Sequence, residues 1–209
     1  MQARALLMRP WAKPLVFTLC LLPLAWLVAR ALGNHLGANP AEAIERDLGI
    51  WTLRLLCLVL AVTPLRILTG TPSLARYRRM LGLFVFFYAA LHALAYAWFD
   101  MGFEAEELLR DLAKRPFILV GTLALVLLAL MAATSWNRAI RWLGAARWQV
   151  LHRSVYAVAA LAVLHFFWMR AGKRLWDEVF AYGAVLALLL GWRVWHRWRK
   201  GQQLRALRN

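Results

Sequence analysis

Three side chains in this sequence have both the type and the setting to do chemistry. Of five histidines, His92 sits inside the apolar run Leu81–Phe99. His152 stands at the entrance of a second run, Val150–Met169 (VLHRSVYAVAALAVLHFFWM), and His165 lies deep inside it. An imidazole can ligate a transition metal, relay a proton or donate one hydrogen bond. In hydrocarbon an ionisable side chain is costly, and its presence there points to a functional site. The other two, His35 and His196, fall in a connection and at the end of the last apolar run, where water or the interface solvates them.

The spacing narrows the chemistry. His92 and His165 lie about 11 and about 15 residues beyond the starts of their runs, so two helices crossing in the same direction hold them at similar depth. Two neutral imidazoles facing one another across a bundle core can supply both axial ligands of one haem iron. Ala89, Ala90, Ala93 and Ala95 surround the first, and Ala157, Ala159, Ala160 and Ala162 precede the second. Small side chains leave volume for a porphyrin, and they equally serve close helix packing. His152 precedes His165 by 13 residues, about 20 Å of helix, which suits a second redox centre toward the other membrane face. The matching position on the other helix, 14 residues before His92, is Arg78. Fourteen residues return a helix to within about 40° of one face, whereas thirteen leave His152 about 140° from His165. A second site therefore needs a bend, a laterally displaced haem or a weaker partner. Arginine keeps its proton and is a poor iron ligand, but it pairs well with a propionate or phosphate. The plainer alternative is that all three histidines only hydrogen-bond neighbouring helices.

The elements that must position these residues are membrane spans. The chain has 209 residues, 63% of them hydrophobic, with a mean hydropathy of +0.56. Soluble domains hold about 45–50% apolar residues. Runs near 20 residues cross a bilayer, and six are present: Pro14–Leu32, Ile50–Leu68, Leu81–Phe99, Phe117–Thr134, Val150–Met169 and Leu175–Val194. The fold expected is an all-α integral membrane protein, a single six-helix bundle over 1–209. The first span follows a basic segment and ends in Ala29-Arg30-Ala31, which resembles a signal-peptide cleavage site; its length favours a retained helix.

Charge orients the bundle. With the N-terminus in the cytosol, 17 of the 26 Lys and Arg residues fall on the cytosolic side, and all ten acids fall on the other. The positive-inside rule then places both termini in the cytosol. The net charge of +16 is thus a topology and anionic-lipid signal, and nucleic-acid binding is not expected. Twelve tryptophans, several near span ends, suit an interfacial belt. Cys20 and Cys57 lie in apolar runs without metal or redox spacing and read as packing residues. Arg170, Lys173 and Arg174 sit where cations are not needed, either snorkelling to head groups or docking an acidic partner or propionates. Arg54, inside the second span, allows the same two readings.

The segments NPAEAIERDLGIW, AVTPLRILTG, RRMLGLFVFFYAALHALAY and ATSWNRAIRWLGAARWQVLHRSVYAVAALAVLHFFW run in order from Asn39 to Trp168. Together they resemble the MsrQ (YedZ) family of haem-binding membrane subunits, within the ferric-reductase-like transmembrane superfamily. The resemblance implies six helices in the bacterial inner membrane, b-type haem (one or two) bound through His92, His152 and His165, and an associated FMN. It also implies a partner, a periplasmic molybdopterin-dependent reductase that repairs methionine sulfoxide in proteins. Electrons would come from quinol or from a cytosolic flavin reductase. Larger members of the superfamily carry two histidines on each of two helices, and Arg78 stands here where the fourth would be. They also carry a flavin and nicotinamide domain. Only about fifteen residues follow the last span here, without a G-x-G-x-x-G, so the chain is not expected to oxidise a nicotinamide by itself. The Arg138–Arg153 cluster is a candidate for an FMN phosphate. The function expected is transmembrane electron transfer; a small proton-coupled transporter or channel using the histidines as a relay, and a structural anchor, are the rivals.

Overall fold

The structure, a computed structural model, describes residues 6–171 and 176–206, with side chains through residue 203. Arg4, Lys173, Arg174 and Arg208, together with the side chain of Arg205, lie outside the described residues.

The fold is carried, among the described residues, by α1 (Ala12–Leu32), α2 (Pro40–Leu68), α3 (Arg78–Phe99), α4 (Ala105–Lys114), α5 (Pro116–Ala133), α6 (Asn137–Leu143), α7 (Ala145–His152), α8 (Val155–Ala171) and α9 (Asp177–Ala206). A 3-10 turn, Pro72–Tyr77, leads directly into α3. Among the described residues six helical stretches are long and apolar enough to cross a membrane, matching the six runs of the sequence. Their outward walls are apolar, with Trp26, Leu32, Leu68, Trp98 and Leu188 standing exposed. In water such a wall would drive association, whereas hydrocarbon solvates it. The chain is a multi-pass membrane protein. Six crossings return the ends to one face, here the terminal face; α4 lies at the opposite face.

Two departures from the sequence reading matter for the site. First, α2 begins ten residues before the expected Ile50, at Pro40. Asn39 caps it by accepting from the Glu42 amide at 3.2 Å, and Pro40 takes the first helical position. That cap, a first-position proline and an early acid form a helix start that needs no apolar run. The added turns carry Glu45 and Gly49 alongside α3. Second, the run Val150–Met169 is not one helix. It breaks at Arg153–Ser154, between α7 and α8. There the Ser154 amide and hydroxyl both donate to the Leu151 carbonyl, at 3.0 and 2.6 Å. A serine side chain competing with the helix ladder tightens the turn and redirects the chain.

α2 packs most extensively against α3, and α5 against α8; α9 closes the bundle against α2 and α8, and α1 against α2 and α3. Leu55, Leu56, Leu60, Val85, Tyr88 and Val158 form its most buried centre. Tyr88 is also an anchor for α1. Pro23 interrupts that helix, and beside it the Tyr88 hydroxyl accepts from the Leu24 amide at 3.1 Å and donates to the Cys20 carbonyl at 2.8 Å. The hydroxyl is thereby inserted into a helical i→i−4 bond, one of the recognised causes of a helix bend.

Candidate functional site

α3 and α8 bring His92 and His165 together. Their ring centroids lie 6.2 Å apart with planes at 81°, in the half of the bundle nearer the opposite face. Each ring is held by a backbone carbonyl: His92 Nδ1 by Glu45 at 2.9 Å, and His165 Nδ1 by Phe117 at 2.7 Å. A carbonyl only accepts, so each Nδ1 carries the proton and donates it, which leaves the lone pair on Nε2. Among the described residues neither Nε2 has a hydrogen-bond partner. Both residues are largely buried, and the rings face each other inside the bundle. The helices that carry them pack mainly on third parties, α3 on α2 and α5, and α8 on α5 and α9.

That separation is compatible with both rings holding one metal-bearing group. A metal–nitrogen bond of about 2 Å on each side, with about 1 Å from each nitrogen to its ring centre, gives roughly 6 Å between ring centres. The observed 6.2 Å agrees. Among the described residues no group of three or more His, Cys, Asp and Glu side chains could hold a bare metal ion. The donor set therefore suits a metal whose other ligands come with it, as a porphyrin supplies them.

Two glycines that the sequence reading did not single out make this placement possible. A Cβ on Gly49 would lie 3.3 Å from His92 Cε1 and 3.4 Å from Nδ1. One on Gly121 would lie 2.9 Å from His165 Nδ1 and 3.0 Å from Cε1. The two contacts are built alike. Glu45 is four residues before Gly49, and Phe117 four before Gly121. Each imidazole thus lies on a bare helical backbone and donates to the carbonyl one turn earlier. An isolated glycine in an apolar helical run was the available signal, since it weakens the helix unless close approach requires it.

His152 is placed differently. It ends α7, stacks on Trp148 with centroids 3.9 Å apart, and its Nε2 lies 3.2 Å from Thr134 Oγ1. The Thr134 hydroxyl donates to the Leu130 carbonyl at 2.8 Å, so it accepts from His152, whose Nε2 then carries the proton. Its tautomer is the reverse of that of the other two histidines. Arg78 and Arg79 are the cations whose charge reaches His152, but no hydrogen bond joins Arg78 to it among the described residues. The helix is interrupted at Arg153–Ser154, between His152 and His165. The arginines of the Arg138–Arg153 cluster (138, 141, 147 and 153) all stay exposed and line no described cavity.

On the other side of the α2 turn that holds His92 lies a cavity of about 600 Å³, lined by Arg46, Asp47, Trp51, Arg54, Arg170 and Glu178 among others. Arg170 does not snorkel. Only 9% exposed, it donates to Glu178 Oε2 at 2.6 Å and lies 5.4 Å over the Phe166 ring. A buried guanidinium is retained in hydrocarbon only when paired, and the start of α9 supplies the pairing acid. Arg54 stays exposed and donates from Nε to the Tyr182 hydroxyl at 2.9 Å.

Residues 48–163 match the family model described as "Ferric reductase like transmembrane component". The "Protein-methionine-sulfoxide reductase heme-binding subunit MsrQ" of Polaromonas naphthalenivorans is 62% identical over 94% of this chain and 90% of its own length. The protein of the same name from Bordetella parapertussis is 54% identical over 90% of this chain and 91% of its own. The "Magnetosome protein MamZ" of Paramagnetospirillum magneticum is 42% identical over 94% of this chain, which corresponds to only 31% of that longer protein. No solved structure matches the chain.

Proposed function

We propose that this chain, which belongs to the ferric-reductase-like transmembrane family and within it to the MsrQ haem-binding subunits, is the membrane electron-transfer subunit of a system that reduces protein methionine sulfoxide. The observation that carries the reading is the His92–His165 pair: two imidazoles 6.2 Å apart, each with Nδ1 tied to a backbone carbonyl and Nε2 without a hydrogen-bond partner among the described residues. On this reading His92 and His165 would hold a b-type haem, which would supply a one-electron couple. The chain's own residues do the rest. Glu45 and Phe117 fix the tautomers and raise the basicity of the ligating nitrogens. Gly49 and Gly121 admit the rings, and the apolar bundle excludes water and lowers the local dielectric.

The wider assignment rests on family and on charge. The Lys and Arg excess puts both termini in the cytosol of a bacterium and the His92–His165 pair toward the periplasm. A periplasmic reductase, molybdopterin-dependent in the family pattern, receives the electrons. Quinol or a cytosolic flavin reductase supplies them. His152, with Arg78 nearby, serves a second haem or a quinone toward the cytosol, and FMN is the accompanying flavin. A proton relay through the same histidines is disfavoured, because both Nδ1 protons at His92 and His165 are committed to carbonyls within the helices.

Absorption spectroscopy of the purified full chain tests this. A Soret band that shifts on dithionite, with a low-spin spectrum lost in His92→Ala and in His165→Ala, supports the reading. A colourless protein after expression with ample haem overturns it.

A further inference from the structure

At the face opposite the termini, α1 and α9 both pack on α2, and the cavity of about 600 Å³ lies where the three helices approach one another. Its floor is one stripe of α2. Arg46, Ile50 and Arg54 recur every fourth residue, with Asp47 and Trp51 beside them, and that spacing puts all five on one side of a helix. From Arg46 to Arg54 the stripe runs about 12 Å along the axis. Trp26, 68% exposed, stands at the α1 edge. Asp177 and Glu178, at the start of α9, stand at the other.

Two of the arginines lining this cavity are neutralised within the chain: Arg30 donates to Asp47 Oδ2 at 2.7 Å, and Arg170 to Glu178 Oε2 at 2.6 Å. Two others are not. Arg46 is exposed and makes no hydrogen bond or ion pair among the described residues. Arg54 lies about a turn inside the apolar run Ile50–Leu68, yet both of its described partners are neutral. They are the Tyr182 hydroxyl, 2.9 Å from Nε, and the Trp51 ring, whose centroid lies 4.8 Å from Cζ. Its two Nη atoms make no hydrogen bond among the described residues. A guanidinium at membrane depth is costly and is ordinarily paired. Asp177 presents the converse case, an exposed carboxylate at the same cavity with no cation partner among the described residues. The cavity thus holds two unmatched cations and one unmatched acid.

Those unmatched charges describe a ligand. A simple anion would satisfy the arginines and leave Asp177 beside a like charge, and a simple cation would do the reverse. A phosphodiester that carries a primary ammonium a few atoms away answers both. Phosphate oxygens match the guanidinium fork in pairs, and an ammonium donates to a carboxylate. We propose that the cavity between α1, α2 and α9 binds such a zwitterion, the head group of an aminophospholipid, with its phosphate on Arg46 and Arg54 and its ammonium on Asp177. The setting favours a lipid as the source. Arg46 precedes the apolar run and Arg54 lies within it, so the stripe spans the level where head groups meet hydrocarbon. Trp26 and Trp51 line the same cavity, and indoles settle at that level. The site lies on the other side of α2 from the His92–His165 pair and does not depend on that pair holding haem. A water-soluble phosphodiester with the same ammonium shares this chemistry, and the test separates the two sources.

The test uses the full chain, purified in neutral detergent, as wild type and as Arg46→Gln, Arg54→Gln and Asp177→Asn. The control is Arg110→Gln, at the same face on α4 but outside the cavity. Phosphatidylethanolamine, phosphatidylcholine and phosphatidylglycerol with matched acyl chains are offered together, and retained lipid is counted by native mass spectrometry. Glycerophosphoethanolamine, the same head group without acyl chains, is then added as competitor. The proposal expects phosphatidylethanolamine to be retained about tenfold over each of the others, the size of one charge-assisted hydrogen bond. That preference should vanish in Asp177→Asn, retention should fall in Arg46→Gln and Arg54→Gln, and Arg110→Gln should match the wild type. Displacement by equimolar glycerophosphoethanolamine identifies a soluble zwitterion as the occupant, and resistance to it identifies the lipid. Equal retention of the three lipids, a preference unchanged in Asp177→Asn, or a loss shared by Arg110→Gln overturns the proposal. Arg46 and Asp177 give up no described contact on substitution, so those two variants decide alone if Arg54→Gln does not fold. The haem spectrum of each sample is recorded separately, so failure here and failure of the histidine reading stay distinguishable.

Discussion

On the proposed function, replacing Gly121 by alanine should weaken haem binding while leaving the helix that carries the change more stable. The added methyl would lie 2.9 Å from His165 Nδ1 and 3.0 Å from Cε1, against about 3.5–4 Å for a relaxed carbon contact. The ring must therefore retreat by roughly 0.5–1 Å. It cannot do so freely, because its Nδ1 is held 2.7 Å from the Phe117 carbonyl, in the turn just before the methyl. Retreat stretches that bond, worth about 1 kcal/mol, and overpacking adds about 1–3 kcal/mol. Together these come to about 2–4 kcal/mol, or roughly 30- to 1,000-fold in haem affinity. The corresponding contacts at Gly49 are 3.3 and 3.4 Å, which a shift of a few tenths of an ångström relieves. Gly49→Ala should weaken binding by no more than about tenfold, near 1 kcal/mol. Alanine is the better helix former by about 1 kcal/mol, so unfolding of α5 cannot account for the loss. Haem titration of the apo-protein in detergent, followed by the Soret band and the low-spin signal, measures both variants. If Gly121→Ala binds haem like the wild type, or Gly49→Ala proves the more damaging, the cradle reasoning is wrong.

Other expectations follow from the same contacts. Tyr88→Phe leaves the Leu24 amide and the Cys20 carbonyl facing a hydrocarbon ring and should destabilise the bundle by about 1–3 kcal/mol, read as a lower Tm in detergent; an unchanged Tm would refute the anchoring role of the Tyr88 hydroxyl. His152→Ala should spare the low-spin signal assigned to His92 and His165, whereas His165→Ala should abolish it; loss of that signal in His152→Ala would contradict the pairing. Glu178→Gln strips the partner from Arg170, which is 9% exposed. Because Glu178 itself is half-exposed, about 1–3 kcal/mol is expected, seen as a lower Tm rather than an altered haem spectrum.

Much of this architecture was legible in the residues one by one. Six apolar runs gave six spans, because hydrocarbon tolerates only helices of a certain length and internal hydrogen bonding does not depend on neighbours. Helical rise alone placed His92 and His165 at one depth, and they do meet. The extent of α2 was partly readable, since Asn39 and Pro40 announce a helix start that a search for apolar residues passes over. What lay beyond reach was everything a helix receives from another helix. The ring of His165 is set by a carbonyl 48 residues away, and that of His92 by one 47 away. The glycines that admit the rings lie on α2 and α5, not on the histidines' own helices. Arg170 turns inward because Glu178 is within reach after the chain reverses. Residue type and period determined which side chains could be ligands and how deep they sit. Only the packing of α2 and α5 against α3 and α8 decided which nitrogen of each imidazole is free, because tautomer and ring orientation are fixed by non-local acceptors that no local period encodes.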